Sequence, residues 1–335
     1  MKKIYYITAV FVTLFLTGCG DGIDLPGVNV ETDLNKIPLP DNNVNLEQVE
    51  LKPSTEPMLH EGLHTEEDFQ RIRDKKAAGE EPWVSAYQLL VESQFSQKTA
   101  DTYPTEWIKR GVSGDENYMN AARGATIAYQ QALRWKIEQD DEYAAKAVEN
   151  LNKWVQTCVG VTGNTNLSLA AGLYGYEFAI AGELLRDYDG WDRADFAAFQ
   201  NWLLKVFYPA NDDFLKRHHD TNPLHYWANW CLCNIAAKMA IGIVTDRRDI
   251  YNEGIGHLQT GDTNGRLRRA IYHDYAPDYN FAQWQESGRD QGHTLMCVGL
   301  MGIICQLAWS QGDDFFAYDD NLFMRACEYA ACCNY

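Results

Sequence analysis

From residue 65 onward, apolar positions recur at three- and four-residue spacing, and that period predicts helices. Thr65-Glu-Glu-Asp68 offers a side-chain cap and early acids to a first helix, which Phe69, Ile72 and Arg73 carry to Gly79. Pro82 opens the next, through Trp83, Tyr87 and Leu90. Long helical patterns follow at Asn117–Gln139, Asp141–Cys158, Asn166–Tyr188, Asp192–Phe207, Pro223–Val244, Arg247–Leu258, Gln283–Trp309 and from Asn321 to the end. The breaks are short and carry Gly, Asp, Asn or Pro, and no strand-like alternation is evident. Helices joined by short loops pair into antiparallel hairpins, so the expected fold is all-α. The apolar run Leu295–Ala308 is below bilayer-spanning length and reads as the core of that array.

Two of these helices begin polar and continue apolar. In Gln283–Trp309, a 100° step per residue puts Gln283, Glu286, Arg289, Asp290 and His293 on one stripe, with Gly288, Gly292 and Gly299 opposite. An acid, a cation and an imidazole at the head of a buried helix are costly unless they pair or act. In the second helix Asn222 reads as an N-cap with Pro223 at the first helical position. Asn222, His225, Tyr226 and Asn229 then share a stripe before Cys233 and Ala236 continue it as apolar. Two such helices in a hairpin array would aim their polar ends at one cavity. A third candidate is Gly163-Asn164-Thr165-Asn166-Leu167, where one Asn caps the helix and the other is free for a ligand.

Composition narrows the function. Hydrophobic residues make up 46% and charged residues 23%, the balance of a globular chain. A formal net charge of -18 argues against nucleic acid and means an anionic substrate must be met by local cations. Of nine cysteines, the eight after Cys19 sit mostly in apolar helical contexts with no C-x-x-C pair, and buried free thiols are expected, with a disulfide among Cys327, Cys332 and Cys333 left open by the sequence. Met1-Lys-Lys and the apolar run Ile4 to Leu16 form a signal peptide ending in Leu16-Thr17-Gly18-Cys19, a lipobox-like site that predicts lipidation of Cys19. Residues 20–58 are polar and broken by Pro and Gly, a flexible tether leading to a catalytic domain at 59–335. The expected location is that of an extracytoplasmic lipoprotein, periplasmic or anchored in the outer membrane.

Three stretches together resemble the alginate-lyase domain of bacterial polysaccharide lyases: Asn222–Arg248, Gln283–Thr294, and Ala144–Phe207 with its Asn164-Thr-Asn166-Leu and Gly182-Glu-Leu-Leu-Arg186. The resemblance spans roughly residues 65 to 335. It implies an (α/α) toroid, or incomplete barrel of antiparallel helix hairpins, an extracytoplasmic enzyme and β-elimination on a uronic-acid polysaccharide, alginate first among them. The best-known branch of that family has Asn-Asn-His before Ser-Tyr-Trp. Here Pro223-Leu224 stand where its Asn-His would be, His225 is displaced by one residue, and Met296 holds its tyrosine position. The chain therefore looks like a sister branch with a Glu286-x-x-Arg289-Asp-Gln-x-His293 pattern. Its stop at Tyr335, inside a helical pattern, suggests truncation at the C-terminus.

Elimination from a uronate needs its carboxylate neutralised, the C5 proton removed and the leaving oxygen protonated. Arg289 offers a bidentate partner for the carboxylate, Glu286 in protonated form a further neutraliser, and His293 the proton transfer. Tyr226 is the candidate acid, or else a tyrosine beyond Tyr335, and His225 a second imidazole. Asn164, Asn166, Asn222, Asn229, Trp227 and Gln283 complete the expected substrate-binding set, and no metal or cofactor is required. Two other classes compete. A glycoside hydrolase on a similar toroid would pair Glu286 with Asp220 or Asp290. A non-catalytic glycan-binding lipoprotein would need the aromatics but not the clustered His, Arg and Glu.

Overall fold

A computed structural model describes residues 54–334. The signal peptide, Cys19 and residues 20–53 of the expected tether lie outside the described residues.

Helix follows helix: α1 (Glu66–Ala77), α2 (Trp83–Glu92), α3 (Tyr118–Glu138), α4 (Asp141–Thr157), α5 (Leu167–Leu184), α6 (Arg193–Val206), α7 (Tyr208–Arg217), α8 (Ala228–Val244), α9 (Arg248–Thr260), the short α10 (Leu267–Ala270), α11 (Gln291–Ser310) and α12 (Tyr318–Asn334). Side-chain caps start several of them, and the one at Thr65 falls where the sequence placed it. Thr65 and Asp68 exchange reciprocal bonds at α1, Asp140 accepts from Glu142 N at α4, and Asp192 accepts from Ala194 N at α6. Helix α7, with Pro209 in its first turn, has no counterpart in the predicted set.

Four helices form an inner wall. α3 packs on α5, α5 on α8, and α8 on α11, while α4, α7 and α9 lie against this series. α5 and α8 are apolar nearly all round because both faces are covered; only Trp230 of α8 is not fully buried. α11 is long and apolar enough to cross a bilayer, but two-thirds of it is buried inside the fold, as expected for a core helix. The all-α, (α/α)-toroid expectation holds.

Strands are a correction to the sequence reading. β1 (Trp107–Arg110) pairs in parallel with β2 (Gly160–Gly163), and β3 (Ile271–Asp274) antiparallel with β4 (Ala282–Trp284). Pieces of three or four residues are too short to carry an alternation. Gly163, at φ +145°, faces Arg110; a Cβ there would fall 1.8 Å from the Arg110 carbonyl oxygen. Only glycine fits that approach.

Buried charge ties the elements together. Lys238, fully buried in α8, reaches Asp212 (2.8 Å) and Glu253 (2.5 Å) on α7 and α9. Arg186 donates to the Ile243 and Val244 carbonyls at the end of α8 while pairing with Glu183. Arg268 and Arg325 share Asp274, and Arg268 also holds Asp319, which fastens β3 to α12. The stretch 54–58, assigned above to the tether, belongs to the folded body. Arg248 donates to the Glu56 and Pro57 carbonyls, Asn252 to that of Ser54, and Met58 is buried.

Candidate active site

The predicted helix Gln283–Trp309 is in fact three pieces: strand β4, a 3-10 turn at Gln285–Gly288, and α11 from Gln291. Two local choices break it. The backbone at Ala282–Trp284 is committed to β3, and Asp290 takes an extended conformation as N-cap of α11. Asp290 Oδ1 accepts from the His293 amide (2.8 Å), and Oδ2 accepts from His293 Nδ1 (2.6 Å). The amide first and the imidazole second hold the Asp290 carboxyl below its usual range.

Helix α8 begins at Ala228, so Asn222 is not its cap, and Asn222, His225 and Tyr226 lie on the preceding loop. Asn264 Nδ2 donates to the Leu224 and Tyr226 carbonyls (3.0 and 2.8 Å), which a helix starting at Pro223 would have needed for itself. At Trp227, the residue before α8, no side chain of its own caps the helix. Its first amides instead go to the other segment: Ala228 N donates to Gln285 Oε1 (2.9 Å) and Asn229 N to Glu286 Oε1 (3.4 Å). The two predicted polar stretches therefore meet through a helix N-terminus, although neither is the helical stripe expected.

Glu286 is fully buried, and its Oε2 accepts from Arg289 Nη1 at 3.1 Å. With both oxygens occupied as acceptors, it caps α8 and holds Arg289 from beneath. That placement behind Arg289 differs from the direct contact with a substrate carboxylate expected from the sequence. The Arg289 guanidinium lies 5.3 Å from the centre of the Trp227 ring, and 32% of its side chain stays accessible. His293 is similarly placed, at 36%. Cys297 lies under this group with Sγ 4.0 Å from Glu286 Oε1, and burial pushes its thiol well up. All eight cysteines among the described residues are free thiols.

The other predicted residues divide. Trp227 and Asn229 join the Glu286–Arg289 group; Asn229 Nδ2 is 3.7 Å from Met296 Sδ, and its Oδ1 is sealed from solvent with no partner. Gln283 does not join it: it is buried and accepts from the Tyr275 hydroxyl at 2.6 Å, a hairpin bond. Asn222 and His225 are exposed on the loop; Asn222 Oδ1 accepts from Leu224 N, and His225 stands edge-on to Tyr226. Tyr226 is buried among Phe214, His218, His219 and Trp230. In the third candidate, Asn164 is exposed and its Oδ1 accepts both the backbone N and Nδ2 of Asn166, which stands before α5 without a side-chain cap bond of its own.

Two residues were missed. His219 carries a bond to Ser168 Oγ (3.0 Å) in the short turn between α7 and α8, where the sequence signal was only a His-His pair. Glu177 lies on the apolar α5; burial pushes its carboxyl up to about 8, and Oε2 has no partner. A lone acid inside an apolar helix was its visible signal.

The junction of α8 and α11 thus sets an arginine over a tryptophan, backed by a buried glutamate and beside an Asp–His pair. The sequence model described as alginate lyase matches residues 72–332, and the chain belongs to the alginate lyase family. Among solved structures it is similar to alginate lyase A1-III from Sphingomonas species A1, with a TM-score of 0.57 at 13% identity, covering 82% of this chain and 78% of that one. It is equally similar to a tyrosine-to-phenylalanine variant of alginate lyase A1-III complexed with a tetrasaccharide (TM-score 0.57, 12% identity, 83% and 79% covered). No curated protein sequence matches it.

Proposed function

We propose that this lyase cleaves alginate or a closely related polyuronate by β-elimination at the face formed by Trp227, Arg289 and His293, as a member of the branch carrying the Glu-x-x-Arg-Asp-Gln-x-His pattern. The observation that carries this reading is the accessible Arg289 guanidinium, held between Glu286 and Trp227 one turn from a His293 already paired with Asp290. Arg289 binds the uronate carboxylate and draws charge from C5. With Asp290 accepting from Nδ1–H, the lone pair of His293 sits on Nε2, which takes the C5 proton. Glu286 positions the arginine and does not touch the sugar. The leaving oxygen takes its proton from a phenol; Tyr226, the candidate named from the sequence, is buried among Phe214, His218, His219 and Trp230, which favours the alternative of a tyrosine outside the residues described. Cys19 as a lipid anchor, and an extracytoplasmic location, remain part of this proposal on the strength of the lipobox-like segment.

The hydrolase reading loses its carboxylates: Glu286 is fully buried, Asp290 is bound to His293, and Asp220 is paired with Arg217. The test is a panel of uronate polymers assayed for the absorbance of an unsaturated uronate. Reducing ends without that absorbance would mean hydrolysis, and neither signal would leave glycan binding alone. Arg289→Lys should cost roughly 10²–10³-fold in turnover, because an ammonium lacks the planar fork. His293→Ala should be as severe, and Glu286→Gln milder. Folded, fully active variants at all three positions would remove them from the mechanism.

A further inference from the structure

Side chains of a strand alternate between its two faces, and β1 shows it. Trp107 is exposed and Lys109 pairs with Asp115, whereas Ile108 is fully buried. Arg110 falls on the Ile108 face, toward the heads of α3 and α5. Its guanidinium lies 4.7 Å from the centre of the Tyr118 ring in the first turn of α3. It also reaches Tyr174 on α5 and Cys233 on α8: burial pushes both groups up, helped at Cys233 by Cys231, and the Arg110 charge opposes each rise. What this cation lacks is an anion. Among the described residues no carboxylate pairs with it, it donates no hydrogen bond, and Nη1 is shut off from solvent without a partner. Arg134, Arg186, Arg268, Arg289 and Arg325, by contrast, each hold a carboxylate. In a chain of net charge -18, a half-buried guanidinium left without an acid is costly until something brings it negative charge.

The heads of the inner helices lie at one end of the wall. Asn234 Nδ2 of α8 donates to the Ser168 carbonyl in the first turn of α5 (3.2 Å), and Asn229 in the first turn of α8 meets Met296 in the second turn of α11. Cys297, beneath Glu286 and Arg289, is pushed up first by burial, then by Glu286, then by Cys233, the thiol that Arg110 also reaches. Arg110 at α3 and α5 and Arg289 at α8 and α11 therefore stand at the same end, two interhelical spacings of about 8–10 Å each apart. We propose that Arg110, backed by Tyr118, is a second carboxylate-binding site of this lyase, holding a uronate several sugars away from the bond at which Arg289 and His293 act. The inference rests on the elimination reading above. A planar fork suits a carboxylate, and the ring of Tyr118 supports it as Trp227 supports Arg289. One sugar ring cannot bridge the two arginines, so the pair selects a chain of uronates over a single unit. Arg110 binds and does not catalyse.

A binding measurement isolates it. In His293→Ala protein, Arg110→Gln should weaken the affinity for the tightest-binding polyuronate of the panel about tenfold or more, read by titration calorimetry. A disaccharide of the same uronate, too short to reach β1 from Arg289, should bind equally with and without the change. In otherwise wild-type protein, KM for the polymer should rise by much more than kcat falls. Arg110→Lys keeps the charge and the stem over Tyr118 but not the fork, so it should lose less, and it carries the same comparison if Arg110→Gln does not fold. Unchanged affinity for the polymer in a folded variant would overturn the proposal. So would an equal loss for polymer and disaccharide, or loss of fold in both variants, since either makes Arg110 a structural residue. Absence of unsaturated product from the wild type would overturn the elimination reading instead, and the His293→Ala titrations would still decide Arg110.

Discussion

Asp290 does two jobs that one substitution can separate. Its Oδ1 caps α11 through the His293 amide, and its Oδ2 fixes the imidazole. Asparagine caps a helix about as well as aspartate but cannot accept from Nδ1–H with the same charge, and its amide can stabilise the wrong tautomer. Asp290→Asn should therefore melt close to wild type while turnover falls at least 10²-fold, whereas Asp290→Ala should also lose about 1 kcal/mol of stability. Thermal melts set beside initial rates check both. Glu177 makes the second residue-scale prediction. Its folded value of about 8 lies above its ordinary 4.5, so its contribution to stability is complete below about 4.5 and is lost as pH rises through 8. In melts taken from pH 5 to 8.5, Glu177→Gln should gain on wild type as pH increases. A constant gap across that range would mean the carboxyl titrates normally. Arg289, His293 and Trp227 were legible as candidates from their residue types, and the structure leaves them accessible on one side of the α8–α11 junction. Gln283, named with them, is instead buried and bonded to Tyr275, a contact made across the β3–β4 hairpin that the local pattern does not show.

At the scale of elements, existence was legible and edges were not. α8 was expected from Pro223 and begins at Ala228 because Asn264, 40 residues from Leu224, takes the carbonyls in between. Close packing inside the wall is equally invisible in a hydrophobic pattern. A Cβ on Gly172 of α5 would sit 2.5 Å from Cys233 Sγ and 3.0 Å from the Asn234 amide on α8, whereas one on Gly256 of α9 would meet nothing within 4 Å. Gly172→Ala should destabilise by about 1–3 kcal/mol through overpacking. Gly256→Ala, in a helix interior with room to spare, should stabilise by roughly 0.4–1 kcal/mol. Urea midpoints for the pair, measured together, test whether α5 and α8 are in contact at Gly172.

For the whole molecule, the net charge of -18 opposes an anionic polymer, and attraction is left to a few local cations such as Arg289. Screening shortens the reach of that repulsion from ~30 Å at 0.01 M salt to ~10 Å at 0.1 M. KM for a long polyuronate should accordingly fall as salt is raised over that range, opposite to a basic enzyme acting on the same polymer; a KM that rises would mean the site's own cations dominate the field. Sequence by itself determined the helical class, most of the helices with their order, and the residue types gathered at the head of α11, because periodicity and short-range spacing are properties of a local chain. Only the tertiary structure decided that Glu286 would be buried as the cap of α8, that Trp227 would lie on Arg289, and that His219 would come to Ser168 and Tyr226. Those contacts join residues far apart in the chain, and the burial and hydrogen-bond competition that select them exist only once the elements have packed.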